Sequence, residues 1–578
     1  MTASGRWIPA FAGMTVAGLL AACAHGVAPV DPAVTAMGPS ATGDAEYYGT
    51  REPFAANAVY FVLTDRFVNG DPSNDHRDQG GDHPTFDLPV PGAPAGRSAN
   101  VGYLGGDFRG LLDNAGHIAG MGFGAVWLTP IVDNPDEAFT GGDPVAWEGS
   151  FTDRGKTGYH GYWGVNFFEL DEHLPSDGLD FAGLTAGLAE HGLVTVLDIV
   201  ANHGSPSFTM PADQPKFGEL YDEDGRLVAD HQNLAPEDLD PEGNPLHAFF
   251  HAEHDLAQLS NLDDTHPAVL DYFVRAYSKW IGQGAGAFRI DTIRHVPHAF
   301  WKQFSDRIRG QHPGFFMFGE SFDYDAGKIA PHTWPGNGGV SVLDFPLKER
   351  MDAVFGRWQL GFEHLADALH LVDGPYANPY ELMTFYDNHD MPRMDASDEG
   401  FIDAHNWLFT ARGIPVVYYG SEVGFERGHG EHAGNRNYFG QARIDAAPAH
   451  PIYQALVPVA RLRAATPALQ RGLQLNLELE GDRAAFYRVL QDGDVGQIAL
   501  VLLNKGDVPA RFKVDRYLQP GPWRAALAGN TIEVVEGGRL EATVPAHGVE
   551  VFVLDAPVRD PELAGALQPL MEGARRFE

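Results

Sequence analysis

Eight short apolar segments recur along the chain between residues 59 and 419, and they constrain the fold more than any other feature. Each is four to six residues long, as expected of a strand buried on both faces, and amphipathic helical patterns separate them. Eight parallel strands that alternate with helices can close into a barrel. The sequence therefore predicts an α/β protein built on a (β/α)8 TIM barrel. Its strands are predicted at Val59–Leu63, Ala125–Leu128, Val194–Ile199, Ala287–Ile290, Phe315–Phe318, Val342–Phe345, Leu382–Phe385 and Pro415–Tyr419.

One helix between the third and fourth strands is especially clear. Val269, Phe273 and Tyr277 recur every four residues and form an apolar stripe. Asp264 or Thr265 is the predicted N-cap, just before a proline.

The 578 residues are too many for one compact core. The stretch between strands three and four is long and rich in Pro, Asp and His, which indicates a protruding, loop-rich subdomain. From about residue 475 to 553 the pattern becomes strands without helices, which predicts an appended antiparallel β-sandwich. The predicted order is a signal peptide at 1–23, a linker at 24–54, the barrel at 55–203 and 263–470, the subdomain at 204–262, the sandwich at 471–557 and a tail at 558–578.

The N-terminus predicts export. Arg6 precedes an apolar stretch that is too short to span a bilayer and has the length of a signal-peptide core. The chain has one cysteine, Cys23, directly after Leu-Ala-Ala, and this run resembles a bacterial lipobox. We expect a protein that is periplasmic, anchored in the outer membrane through a lipid on Cys23, or extracellular. The alternative is an ordinary cleavage site with an incidental cysteine.

The charge balance limits the possible partners. Forty basic and 78 acidic residues give a formal net charge of −38. Such a surface repels nucleic acid and anionic lipid, whereas a neutral sugar polymer is not repelled. Oligomeric state is not predictable from the sequence.

Polar residues follow four of the predicted strands, at the end of a barrel where catalytic residues usually lie. Strand three ends in Asp198, Asn202 and His203; strand four carries Arg289 and Asp291; strand five ends at Glu320; strand seven ends at His389 and Asp390.

These carboxyl groups have different surroundings. Arg289 and Asp291 are two residues apart and point the same way along a strand, so the guanidinium favours the ionised carboxylate that a nucleophile requires. Glu320 follows an apolar strand, and burial there favours the protonated form of a general acid. Carboxyl groups about 5 Å apart would indicate a retaining double displacement, and a gap of about 6.5–9.5 Å would indicate inversion.

The motifs resemble those of the α-amylase family of glycoside hydrolases. The four segments that mark that family have counterparts in "DIVANH" (198–203), "FRIDTIRH" (288–295), "FGES" (318–321) and "FYDNHD" (385–390). Two further segments also match, "GFGAVWLTP" (122–130) and "GIPVVYYGSE" (413–422). The segment "YHGYW" (159–163) and the loop near residue 70 are similar to cyclodextrin glucanotransferases and maltogenic amylases.

The resemblance implies roles for individual residues. Asp291 would be the nucleophile, Glu320 the acid/base and Asp390 a third carboxylate that stabilises the transition state. The residues implied in substrate binding are His160, Tyr162, His203, Arg289, Arg294, His295 and His389. Arg294 stands where the family commonly has lysine, which puts the preference on the leaving-group side in doubt.

The resemblance also implies structural calcium. One site would use Asn202, the His295 carbonyl and Asn261, with Asn261 standing where aspartate is commoner. A second, similar to an extra site of cyclodextrin glucanotransferases, would use Asn69, Asp71, Asn74, Asp75, Gly105 and Asp107. Closely spaced oxygen ligands suit calcium rather than zinc. The alternative for this loop is an Asn/Asp-rich turn without an ion.

Other signals are weaker. His247, His251 and His254 have a spacing that could bind zinc, but no HExxH motif accompanies them. The glycines of "GQGAGAF" (282–288) precede a strand rather than a helix, which argues against a dinucleotide site.

We therefore expect retaining, endo-type hydrolysis of α-1,4-glucosidic bonds in starch-like glucans or maltooligosaccharides. Transfer or cyclisation by a glucanotransferase, or a cyclomaltodextrinase-like activity, is the alternative within the family; the single sandwich and Ser321 after Glu320 are departures from the glucanotransferase pattern. A carbohydrate-binding protein without activity is a more remote alternative, and the three carboxylates argue against it.

Overall fold

The computed structural model describes residues 45–79, 81–94, 97 and 100–577. Its centre is a barrel of eight parallel strands, numbered here in chain order. They are β1 (Val59–Val62), β2 (Ala125–Leu128), β3 (Val194–Ile199), β4 (Ala287–Ile290), β5 (Phe316–Gly319), β6 (Ser341–Val342), β7 (Met383–Thr384) and β8 (Ile414–Tyr418). All eight predicted strands are present, with ends displaced by up to three residues.

The strands pair in the order β6-β5-β4-β3-β2-β1-β8-β7. A parallel bridge between Leu343 and Met383 joins the two ends of this sheet. The amide of Asp344 also donates to the Met383 carbonyl at 2.9 Å. The sheet is thus closed into the expected (β/α)8 barrel.

Helices surround the barrel because one face of each is apolar. The helix Pro267–Gly282 buries Val269, Phe273 and Tyr277, as predicted. Its N-cap differs from the prediction: the ring nitrogen Nδ1 of His266 accepts the amide of Ala268, and Asp263 accepts the amide of Thr265 one turn earlier. The other α-helices of at least six residues that flank the barrel strands are Phe108–Asp113, Ala115–Met121, Phe181–Glu190, His298–Gln311, Phe345–Phe355, Asp398–Leu408, Gln441–Ala446 and Pro451–Ala464.

The excursion after β3 consists of loops, two short 3-10 helices (Pro236–Asp238 and Pro245–His247) and two short antiparallel strand pairs. His203–Pro206 pairs antiparallel with Leu259–Asn261, and Glu219–Tyr221 pairs with Leu227–Asp230. The first pair begins at a predicted site residue, so the excursion forms one wall of the barrel mouth.

The C-terminal part is antiparallel β structure, as predicted. A six-stranded sheet contains Leu473–Glu480, Arg483–Asp492, Val495–Asn504, Gly548–Leu554, Gly521–Ala525 and Thr531–Val534, in spatial order. A two-stranded sheet of Ala510–Val514 and Leu540–Val544 accompanies it. The helix Pro561–Ala574 follows and buries Leu563, Leu567 and Leu570.

The predicted signal peptide and Cys23 lie outside the described residues. Within the described part of the chain, every helix is too short or too polar to cross a bilayer.

Candidate active site

The register of the barrel brings two of the predicted carboxyl groups side by side. Ile290 of β4 is opposite Gly319 of β5, so Asp291 and Glu320 follow their strands at the same level. The amide of Glu320 donates to the Ile290 carbonyl at 2.8 Å. Both side chains are more than nine-tenths buried.

Arg289 links these two groups. Its Nη1 donates to Asp291 Oδ1 at 2.8 Å, and its Nη2 lies 2.6 Å from Glu320 Oε2. The same Nη1 also donates to Asp198, its register partner on β3, at 2.9 Å. Arg289 is fully buried beneath the two carboxyl groups and holds three acids together.

The acids differ in their tendency to hold a proton. Burial raises the pKa of Glu320 to about 8, although the charge of Arg289 opposes this. Burial likewise raises the pKa of Asp198 to about 7, again against Arg289. Asp198 Oδ2 accepts hydrogen bonds from Trp127 Nε1 at 3.0 Å and Tyr162 OH at 2.7 Å. Glu320 is therefore protonated near neutral pH, as a general acid must be.

All three predicted catalytic carboxyl groups face one cavity of about 430 Å³. This volume lies in the usual range of small-molecule sites. Asp390 lies across the cavity after β7, and its side chain is 29 % exposed. Four of the predicted substrate-binding residues also line the cavity, namely His160, Tyr162, His203 and His389.

These four residues form polar and aromatic walls. Tyr162 stacks on His389 with ring centroids 5.3 Å apart. The pKa of His389 and that of His160 are well below the usual value because burial disfavours the charged rings. Neutral rings of this kind can both donate to and accept from sugar hydroxyl groups.

Two backbone positions at the site are in the left-handed region. Thr292, directly after Asp291, has φ +48° and lines the cavity. Gly161 has φ +82°, and a Cβ atom there would lie 2.1 Å from the Pro130 carbonyl oxygen. Glycine between His160 and Tyr162 is thus required by the close approach of the β2 loop.

Arg294 and His295 lie away from this cavity. Arg294 donates to the Phe322 carbonyl and lines a neighbouring cavity of about 340 Å³. His295 Nδ1 lies 3.1 Å from Asp255 Oδ1.

The sequence did not indicate a buried ionic wall beside Asp390. Lys156, Glu431 and Arg436 line the cavity and pair with one another. Arg436 Nη2 donates to Asp390 Oδ1 at 2.7 Å. These residues lie on loops after β2 and β8, where nothing in the local pattern distinguishes them from solvated charges.

The loop near residue 70 fits a hard cation. The side-chain oxygens of Asn69 and Asn74 are buried without a hydrogen-bond partner, which is uncommon unless an ion or water is bound. Gly105 has φ +86°, and a Cβ atom there would lie 2.4 Å from Asp75 Oδ1. The carboxylates of the predicted set are already engaged: Asp75 accepts the amide nitrogen of Asn69 at 2.7 Å and pairs with Arg77, Asp71 accepts from Ser73, and Asp107 accepts three backbone amides.

The other predicted calcium set fits less well. Asn202 donates its amide nitrogen to Asp255 Oδ2 at 3.0 Å, and Asn261 donates to the Glu253 carbonyl. Asp255, which the sequence did not indicate, also contacts His295. A cation here would depend on Asp255 rather than on Asn261.

The three histidines considered for zinc point to separate partners. His247 accepts the Asp240 amide, His251 faces Asp264 at 3.3 Å, and His254 contacts the Ala257 carbonyl.

The chain matches known proteins over most of its length. Residues 61–445 match the alpha amylase catalytic domain. A cyclomaltodextrin glucanotransferase of Paenibacillus macerans is 27 % identical over 543 residues, which are 90 % of this chain and 70 % of that protein. An alpha-amylase of Niallia circulans is 26 % identical over 550 residues, covering 92 % and 95 % of the two chains.

Solved structures share the architecture. The cyclomaltodextrin glucanotransferase CldA, described as having a three-domain ABC distribution, is 29 % identical with a TM-score of 0.70, over 87 % of this chain and 99 % of that one. The alpha-amylase of Geobacillus thermoleovorans shares the fold at 24 % identity with a TM-score of 0.65, over 88 % and 99 %.

Proposed function

This chain belongs to the α-amylase family, and on that premise we propose that it hydrolyses α-1,4-glucosidic bonds in starch-like glucans with retention of configuration. The observation that carries the proposal is the contact of one guanidinium, that of Arg289, with both Asp291 and Glu320 at the floor of a sugar-sized cavity. This shared contact favours the close spacing of a double displacement over the wider gap of inversion.

The chemistry follows from the protonation of the acids. Asp291 attacks the anomeric carbon while Glu320 donates its proton to the leaving oxygen, which breaks the glycosidic bond and forms a glycosyl ester. Glu320, now ionised, takes a proton from water, and the water oxygen displaces Asp291. Asp390 stabilises the positive charge that develops on the ring in both steps.

Transfer to another sugar is the second candidate, because several relatives are named glucanotransferases. The expectation that a single C-terminal sandwich argues against transfer is weakened by CldA, a cyclomaltodextrin glucanotransferase with a three-domain ABC distribution. The two activities differ only in whether water or a sugar hydroxyl attacks the intermediate.

Product analysis tests the proposal. We expect linear maltooligosaccharides from soluble starch and maltoheptaose, with the α-anomer formed first in NMR spectra. A rapid fall in viscosity relative to reducing ends would indicate the predicted endo-type attack. Cyclic or disproportionated products would instead establish the transferase. Glu320→Gln should lower kcat by at least about 10³-fold while preserving glucan binding, and wild-type turnover in that variant would overturn its assignment.

We also propose calcium at the loop of Asn69, Asn74 and Asp75, supported by the two unpartnered oxygens. Calcium would supply structural stability there, since the loop lies away from the catalytic cavity and binds a metal only when folded.

Export, with a lipid on Cys23, remains a proposal from the N-terminal sequence. Cell fractionation and the mass of the mature N-terminal peptide test it. A cytoplasmic protein that retains residue 1 would contradict export, and a secreted form without lipid would contradict anchoring alone.

A further inference from the structure

Lys156 is a buried lysine in the wall of the catalytic cavity. It is 4 % exposed, and its Nζ donates to Asp153 Oδ1 and to Glu431 Oε1, each at 2.9 Å. Burial opposes its charge, but these carboxylates outweigh burial and raise the pKa of Lys156. Lysines are seldom this buried without a specific partner.

Glu431 connects Lys156 to an arginine. Its Oε1 lies 3.1 Å from Arg436 Nη1, and its Oε2 accepts the amide of Phe151 at 3.1 Å. His432 Nε2 also lies 3.3 Å from Glu431 Oε1. Arg436 and Lys156 hold the pKa of Glu431 well below its usual value, although burial opposes this.

Arg436 in turn holds the third carboxylate. Its Nη2 donates to Asp390 Oδ1 at 2.7 Å, and its Nε donates to the His389 carbonyl at 2.9 Å. The guanidinium is thus fixed on one side by Glu431 and on the other by the segment that carries Asp390. Truncating one member of such a chain of buried charges leaves the next one unbalanced.

We propose that Lys156 is a positioning residue that acts through Glu431 and Arg436 to keep Asp390 ionised and directed into the cavity. The inference depends on the proposed role of Asp390 in glucan hydrolysis. Lys156 itself need not touch the reacting sugar: it neutralises Glu431, so that Arg436 remains available to Asp390.

The charges around Asp390 determine the sign of the test. Burial raises the pKa of Asp390 above its usual value and Glu431 adds to this, whereas Arg436 and Arg289 favour the ionised form. Glu320 and His389 also face it, the first as a neutral acid and the second as a neutral ring near pH 7. Removing the lysine charge therefore raises the pKa of Asp390, whereas removing the glutamate charge lowers it.

The experiment compares pH profiles of kcat on maltoheptaose. In Lys156→Met we expect kcat to fall roughly tenfold with KM within about twofold, because the contact of Asp390 with the transition state is weakened. The acid limb should move up by roughly half to one pH unit. Lys156→Arg should restore most of the wild-type kcat and most of the wild-type position of the acid limb. In Glu431→Gln the acid limb should move down, in the opposite direction.

A matched control is Lys216→Met, since Lys216 pairs with Asp136 at 3.2 Å outside the cavity. An unchanged acid limb in Lys156→Met, or shifts of the same sign in both network variants, would overturn the inference. If Lys156→Met fails to fold, the downward shift in Glu431→Gln decides the question alone. Wild-type protein without glucan hydrolysis would instead refute the proposed function.

Discussion

Asp198 should control the alkaline limit of activity through Arg289. Glu320 must be protonated to act as an acid, so activity is lost as pH rises through its pKa of about 8. Asp198 shares the same guanidinium, and its own pKa of about 7 means that it is ionised across this limb. Asp198→Asn removes that negative charge and frees the charge of Arg289 for the two remaining acids.

The size of the effect follows from Coulomb's law. Two unit charges about 6 Å apart interact by roughly 3 kcal/mol at an effective dielectric constant of about 20, which corresponds to about two pKa units. The positive charge of Arg289 lies between Asp198 and Glu320 and weakens their repulsion. In Asp198→Asn we therefore expect the pKa of Glu320 to fall by about one unit. The kcat/KM of this variant at pH 8 would then be about fivefold lower than its kcat/KM at pH 7.

The assay is the pH dependence of kcat/KM on maltoheptaose between pH 6 and 10. Glu422→Gln is the control: Glu422 is a buried carboxyl after β8 with its pKa also raised by burial to about 7, but it pairs with Tyr60 and does not line the cavity. The control should keep the wild-type alkaline limb. An Asp198→Asn limb at the wild-type position, or at higher pH, would refute the electrostatic coupling through Arg289.

Three further perturbations address stability. Chelation with EDTA should lower the melting temperature of the wild type, because calcium that binds only the folded state stabilises it by about 2.7 kcal/mol at concentrations a hundredfold above Kd. Asn69→Ala should reduce that response. Equal melting curves with and without EDTA would contradict the calcium site. His547 lies between Asp403 and Asp507 at 2.8 and 3.1 Å; burial lowers its pKa but these carboxylates raise it overall, so its stabilisation is present below about pH 6.5 and lost as pH rises. His547→Gln should therefore lower the melting temperature by about 1–3 °C at pH 6 and by less at pH 9, and a larger loss at pH 9 would contradict this. Gly161→Ala should cost at least about 1–2 kcal/mol and lower kcat/KM, because the left-handed backbone and the contact with Pro130 must both change; an unaltered melting curve would contradict this explanation of the glycine.

The catalytic carboxyl groups were predictable because residues that follow the parallel strands of a barrel all lie at the same end of it. Asp291 and Glu320 could be paired from the sequence as neighbours of successive strands. The contact of Arg289 with Glu320 could not, because it depends on the register of β4 against β5. No basic residue lies within several positions of Glu320 in the sequence, whereas the guanidinium of Arg289 lies 2.6 Å from it in the structure.

The residues around Asp390 were missed for a different reason. Arg436 and Lys156 arrive from loops that have no periodicity, and their partners become evident only when the loops after β2 and β8 meet. The motif resemblance implies that Arg294 and His295 hold the leaving-group side, and their contacts with the Phe322 carbonyl and with Asp255 could not be read from the sequence.

The uneven pairing around the barrel has a consequence for how its active centre can change. Asp291 and Glu320 follow strands that pair over four residues, whereas β7 has two residues and meets β6 through a single bridge. Amide protons near Met383 should therefore exchange with deuterium before those of β4, as expected for a locally weaker seam. Substitutions in nearby loops can therefore move Asp390 without changing the pairing of β4 and β5. Substrate preference can change in this way while Asp291 and Glu320 keep their positions.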